Sequence, residues 1–296
     1  MARLPATRIS KQRANRLRER FILLQTDAAP GPDPIDFVLR YADPADREVA
    51  GLFASGLAFG RVASFWPVLD TLFTQADKRG GPAAWVDSFN QDDADVLQPL
   101  FYRWVRGPDL ARFARTIGRL RSEYGSIGHL FLLHHRSSDP DIGSALGAVI
   151  DAFRAASIEH AEQSFSSLPR GYRYFLPHPS SGSACKRWCM LLRWMVRPQA
   201  PDVGQWELPP DKLIIPLDTH IHRIAGFVGL TRRKDGSWKT AREITQNLKK
   251  MDPSDPVRFD FILAHLGISG HCKGRRIEQI CTPCSLLPVC KTGQAG

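Results

Sequence analysis

Apolar residues recur at helical spacing along most of this chain. The recurrence runs through REVAGLFASGLAFGRVASFWPVLDTLF and again through PDLARFARTIGRLRSEYGSIGHLFLLHH, and a period near 3.6 predicts helices with one buried face. A third helix is predicted over GSALGAVIDAFRAAS. It is followed by a loop rich in Pro and Ser, SSLPRGYRYFLPHPSSGS, and by a helix over ACKRWCMLLRWMVR. A Trp- and Pro-containing linker, PQAPDVGQWELPP, then leads through an extended DKLIIPL into THIHRIAGFVGL. There Ile221, Ile224, Ala225 and Val228 form an apolar stripe, Asp218 stands where the N-cap belongs, and Gly229 predicts the stop. Helices over SWKTAREITQNLKKM and DPVRFDFILAHLG precede a cysteine-bearing tail. The segment DAAPGPDPID reads as a linker, no stretch reads as a strand pair, and no internal repeat is present. The pattern predicts an all-α protein.

A chain of 296 residues can bury one large core or two small ones. Its 43% hydrophobic content is ordinary for a globule and no apolar run reaches the length of a bilayer span, so no membrane partner is expected. The first twenty residues lack the apolar core of a signal peptide, which makes a cytoplasmic protein the expectation, and a monomer is expected besides. Charge adds more. Forty Lys and Arg against thirty Asp and Glu leave +10, a balance that favours a polyanionic partner. The excess sits at the ends: residues 1–20 carry seven basic residues, Arg3 among them, against Glu19, and residues 223–296 carry thirteen against six. Two terminal blocks of one sign suggest a shared nucleic-acid-facing region.

Four cysteines cluster near the end, Cys272, Cys281, Cys284 and Cys290, at the spacing C-x8-C-x2-C-x5-C. Thiolates this close suit a single inorganic centre, a [4Fe-4S] cluster or, as the alternative, zinc, and a reducing compartment disfavours disulfides. Cys185 and Cys189, one turn apart in an apolar helix, read as buried core thiols. Trp206 and Trp238 also read as core.

The order of GSACKR, PLDTHIHRIAGFVGL, a helix ending in Leu-Gly and then the cysteine loop resembles the helix-hairpin-helix (HhH-GPD) DNA glycosylase superfamily, in its endonuclease III-like branch with a C-terminal iron-sulfur loop. GSACKRWCMLLRWMVR, WKTAREIT and DPSDPVRFDF are closest to a bacterial branch known as a domain of unknown function. The resemblance covers about residues 175–290. It implies a six-helix barrel-like domain over residues 46–212, and a basic helical domain with the cluster loop made from residues 1–45 and 213–296, with flipped-out nucleotides held in a cleft between them. The implied activity is a DNA-base glycosylase, with abasic-site lyase activity if a lysine attacks C1′ of the sugar. Asp218 is then the catalytic carboxylate and Lys186 the candidate nucleophile. Local reading leaves Asp218 as a plain N-cap, and Lys186, Arg193 and Arg197 as a basic helix face touching phosphate, both open. Gly182, Ser183, Ala184 and Arg187 around the hairpin, and Lys273, Arg275 and Arg276 in the cluster loop are the candidate DNA contacts, and a Ser183 cap would put Lys186 in the first turn of the helix. The alternative function is a non-catalytic binder of damaged or structured DNA or RNA with a structural cluster. The first cysteine spacing is two residues longer than the family pattern, and the chain departs from that pattern in three further places. Its hairpin is LPHPSSGSACKR with Ala184 for the second glycine, Lys186 and Asp218 stand 32 positions apart with QAPDVGQWELPP inserted between them, and SGLAFGRV stands where relatives carry a hole-filling glutamine.

Overall fold

The computed structural model describes residues 6–24, 32–160, 162–268 and 272–294. Arg3 of the basic block and residues 27–31 of the DAAPGPDPID linker lie outside the described residues. In chain order the elements are α1 Lys11–Leu24, α2 Asp36–Leu39, α3 Pro44–Leu57, α4 Val62–Lys78, α5 Pro82–Asp87, α6 Gln91–Leu97, the strands β1 Phe101–Tyr102 and β2 Val105–Arg106, and α7 Gly107–Tyr124, α8 Ile127–His134 and α9 Gly143–Ala156. They continue with α10 Arg170–Arg173, α11 Lys186–Val196, α12 Thr219–Phe227, α13 Trp238–Leu248, α14 Asp260–Ile268, α15 Glu278–Cys281 and α16 Lys291–Gln294. The protein is mostly helical, as the apolar spacing predicts. No helix among the described residues is long and apolar enough to cross a membrane.

The structure departs from the sequence expectation in three local features. Residues 101–106 form a small antiparallel hairpin, with Phe101 opposite Arg106 and Tyr102 opposite Val105. Tyr102 and Val105 are buried beneath exposed Phe101 and Arg106, but two-residue strands are too short for a period of two to stand out in the sequence. The two long apolar runs are each two helices. The first breaks between Leu57 and Val62, and the second between Tyr124 and Ile127, where Ser126 Oγ accepts the His129 N–H at 2.9 Å and starts a new helix.

Contacts divide the chain into two compact units, one drawn from Met1–Pro30, Gly182–Cys189 and Pro209–Gly296, the other from Gly31–Ser181 and Met190–Leu208. In the first unit residues 7–21 meet residues 228–289. The Ile9 N–H donates to Asn247 Oδ1 at 3.1 Å, and the Asn247 amide donates to the carbonyls of Thr7 and Leu230, each at 2.8 Å. The Arg13 guanidinium donates to Val228 O at 2.8 Å and Val289 O at 3.1 Å. Phe21 of α1 packs on Phe259, with ring centroids 5.4 Å apart.

The second unit is centred on aromatic packing, with Phe113 of α7 edge-on to Phe53 at 5.3 Å and stacked on Phe175 at 4.5 Å. Residues 198–208, read from sequence as linker, are built into this unit. Asp202 is buried and takes hydrogen bonds from Arg193 Nε at 3.2 Å and from Arg197, while Trp206 Nε1 donates to Glu48 Oε2 at 3.0 Å. Arg193 and Arg197 are therefore buried ion-pair members, and a shared basic face with Lys186 is excluded for them. Their burial depends on Asp202, several residues farther along and outside any helical pattern.

Candidate functional site

The site is assembled within the first unit from two chain segments, each tied to α13. Residues 182–186 form the first. Ser183 makes an isolated antiparallel bridge with Ser237, and the Trp238 N–H donates to Gly182 O at 3.1 Å. Ser183 Oγ accepts the N–H of Cys185 at 3.2 Å, and Cys185 has φ of +48°, a left-handed conformation uncommon for a side-chain-bearing residue. Ser183 thus turns the loop, and Lys186 is the first helical residue. Ser237 is itself held in place. As N-cap of α13 its Oγ accepts the Thr240 N–H at 3.4 Å and donates to Asp235. That hydrogen bond, with the Arg233 guanidinium 3.1 Å away, holds the Asp235 carboxyl down to about 2.

The second segment runs from Asp211 to Asp218. Lys249 Nζ grips Asp211 Oδ2 at 2.9 Å, and the Ile215 N–H donates to Thr245 Oγ1 at 3.0 Å, so α13 carries the buried stretch Leu213, Ile214 and Ile215. Asp218 follows with extended backbone, and its Oδ1 accepts the Ile221 N–H at 2.8 Å as the N-cap of α12. The helix ends as the sequence predicts: Gly229 has φ of +78°, and the Leu230 N–H returns to Ala225 O at 2.8 Å.

These two anchored segments bring Lys186 Nζ to 3.9 Å from Asp218 Oδ2, across 32 positions of sequence. The lysine side chain is 35% exposed and the aspartate 17%. With Oδ1 committed to the cap, Oδ2 is the oxygen that faces the ammonium. The pair therefore offers an amine and a carboxylate side by side at the start of two helices, one able to attack an electrophilic carbon and the other to accept a proton or face a developing cation.

The remaining sequence-derived candidates are placed as follows. Gly182 is exposed, Ser183 half-buried and Ala184 buried. Arg187 is buried, with 8% of it exposed. Lys273 and Arg275 are exposed; Arg276 pairs with Glu278 at 2.9 Å and donates to Gly293 O at 3.1 Å. Cys185, Cys189, Trp206 and Trp238 are buried, as expected.

Cys272, Cys281, Cys284 and Cys290 are half-buried free thiols. Two of them accept backbone N–H groups: Cys281 Sγ from Ile277 at 3.5 Å and Cys290 Sγ from Gly293 at 3.2 Å. Burial pushes the Cys290 thiol up, and Cys272 and Cys284 add to the rise electrostatically. This donor chemistry, sulfur with amide hydrogen bonds, fits a thiolate-bound centre. Among the described residues no three His, Cys, Asp or Glu side chains are gathered closely enough to hold a metal ion.

Sequence reasoning missed the anchors of the site. Thr245, Asp235 and Ser237 carry no motif, and they matter because α13 lies along both segments. No curated protein matches the chain, and no solved structure does. The family model described as "Protein of unknown function (DUF2400)" matches residues 33–269, which is most of the chain, and the protein belongs to that family.

Proposed function

We propose that the protein is a DNA-base glycosylase of the helix-hairpin-helix kind, acting on a base turned out of its duplex. The observation that carries this reading is the Lys186–Asp218 pair, 3.9 Å apart, with Asp218 capping α12 and Lys186 opening α11 behind a hairpin-like loop. The order of these motifs ahead of a four-cysteine loop and the +10 charge support it.

In this reaction the bond from C1′ to the base nitrogen breaks and positive charge develops on the sugar. Asp218 Oδ2 stabilises that charge. Lys186 Nζ, having lost its proton to solvent while Asp218 stays ionised, forms the new bond to C1′ as the base leaves with the bonding electrons and takes up a proton from solvent. Ring opening then yields a Schiff base between Nζ and C1′. Cys272, Cys281, Cys284 and Cys290 would hold an iron-sulfur cluster, with zinc as the alternative. Its contribution would be structural, fixing the loop that carries Lys273 and Arg275.

Incubating the protein with abasic duplex DNA and borohydride tests the lysine directly. The expected result is a covalent adduct that Lys186→Ala lacks. Base release without an adduct would leave Asp218 working with water, and binding with neither product would leave a non-catalytic binder. The metal is checked separately: protein purified without oxygen is expected to absorb near 400 nm, a band that zinc with its filled d-shell cannot give, and to lose it when Cys284 is replaced by Ala.

A further inference from the structure

The second unit carries an arginine- and aromatic-rich surface that the Lys186–Asp218 chemistry does not use. It comprises residues 59–61, 101–106 and 170–174, of which five are arginine and six aromatic. The hairpin is its centre, with α4 packed on β1 and α10 on β2. Beneath the exposed layer, Phe59 and Trp104 stack at 5.1 Å with an interplanar angle of 16°, and Tyr174 stands edge-on to both, at 4.8 and 4.9 Å. The buried Asp109 carboxylate locks the assembly. It accepts the Arg106 N–H at 2.9 Å and a hydrogen bond from the Tyr172 backbone, and so ties β2 to α10. Gly171 permits this closeness, because a Cβ there would collide with Asp109 Oδ2 and Trp104 O. The platform is thus rigid below.

On top it is cationic. Arg61, Arg103, Arg106, Arg170 and Arg173 are exposed, and among the described residues none of them makes an ion pair. Arg103 forms the hairpin tip with φ of +54°, a costly conformation for a side-chain-bearing residue and one typical of functional positions. Arg106 lies 5.5 Å over the ring of Phe101, and Arg170 5.4 Å over Trp104. Phe101 itself is 63% exposed, the most exposed large hydrophobic side chain on the described surface.

From this geometry we infer that the hairpin shelf is a binding surface for single-stranded DNA, with guanidinium groups on successive phosphates and Phe101 against the face of an unstacked base. Phosphate-pairing cations interleaved with aromatic rings are the arrangement that tracks a single strand without reading its sequence. The residues of the shelf include no Asp, Glu, Asn, Gln, Ser or Thr, so little is present to recognise a ribose 2′-OH. Only one of its large rings is widely exposed, which is too little apolar surface for entry into a lipid bilayer. The inference does not rest on catalysis at Asp218.

The test is fluorescence anisotropy of the full-length protein with an undamaged labelled 15-nucleotide DNA strand, over a range of salt. Arg103→Gly, which suits the left-handed backbone and so preserves the turn, combined with Arg170→Ala, is expected to weaken binding about 10-fold and to flatten the salt dependence by ~0.7 for each phosphate no longer neutralised. Phe101→Ala is expected to weaken it about 5-fold with the salt slope unchanged. Unaltered affinity and slope in both variants overturn the inference. So does tighter binding to the matching RNA strand, or binding to anionic vesicles with none to DNA. Because the strand is undamaged and nothing turns over, these outcomes are separate from the fate of the glycosylase reading.

Discussion

Under the proposed glycosylase activity, replacing Asp218 with Asn is expected to lower base excision by about 100-fold or more while leaving thermal stability nearly unchanged. The two roles of this residue separate because they use different oxygens. Oδ1 accepts the Ile221 N–H and caps α12, a task Asn performs about as well as Asp. Oδ2 faces Lys186 at 3.9 Å and carries the charge, which an amide lacks. Loss of one electrostatic group aimed at a developing charge typically costs ~2.7–4 kcal/mol of transition-state stabilisation. Asp218→Ala removes both roles and is expected to lose a further ~1 kcal/mol of stability. Base-release assays paired with calorimetric melts of the two variants check this. If Asp218→Asn excises bases at the wild-type rate, the carboxylate is only a cap.

Glu48→Ala is expected to destabilise the second unit by about 3–5 kcal/mol, the cost of removing one member of a buried charged network. Glu48 is 2% exposed inside apolar α3, and every group it meets is a donor. Oε1 accepts the Ile127 N–H at 2.9 Å, and Oε2 accepts the Gly128 N–H at 2.9 Å and Trp206 Nε1 at 3.0 Å. Arg121 stands 3.5 Å from Oε1. The carboxylate thereby satisfies two of the free N–H groups at the start of α8 and pins residues 198–208, and alanine would leave those donors buried without an acceptor.

Burial raises the Glu48 carboxyl above its usual 4.5, and the hydrogen bonds and Arg121 pull partly against it. With the folded value raised, the folded protein binds more protons than the unfolded chain between the two values. The contribution of this group is therefore greatest below about 4.5 and declines as pH rises through its folded value. Chemical unfolding followed upward from about pH 4.5, wild type against Glu48→Gln, is expected to show the steeper loss of stability in the wild type, because Asp109 and Asp202, also raised by burial, contribute equally to both proteins.

Helices were legible in the sequence because burying one face of a helix imposes a 3.6-residue period wherever the chain is long enough to display it. Asp218 and Gly229 were legible as the ends of α12 for the same local reason, since capping depends on nearest neighbours. The helix breaks before Val62 and Ile127 were not, because both halves of each run keep the apolar spacing.

By itself the sequence determined the helical class, the ends of α12 and the buried thiols at Cys185 and Cys189. Local propensity and spacing suffice for each. Tertiary structure decided the rest. It placed Lys186 beside Asp218, turned Arg187, Arg193 and Arg197 inward, and built a hairpin and Glu48 into the second unit. Each of these depends on which distant group lies opposite: Asp202 for Arg193 and Arg197, α8 and Trp206 for Glu48, α13 for the two segments of the site. A hydrogen bond or ion pair between residues far apart in the chain imposes no period on the sequence between them, so only the folded arrangement reveals it.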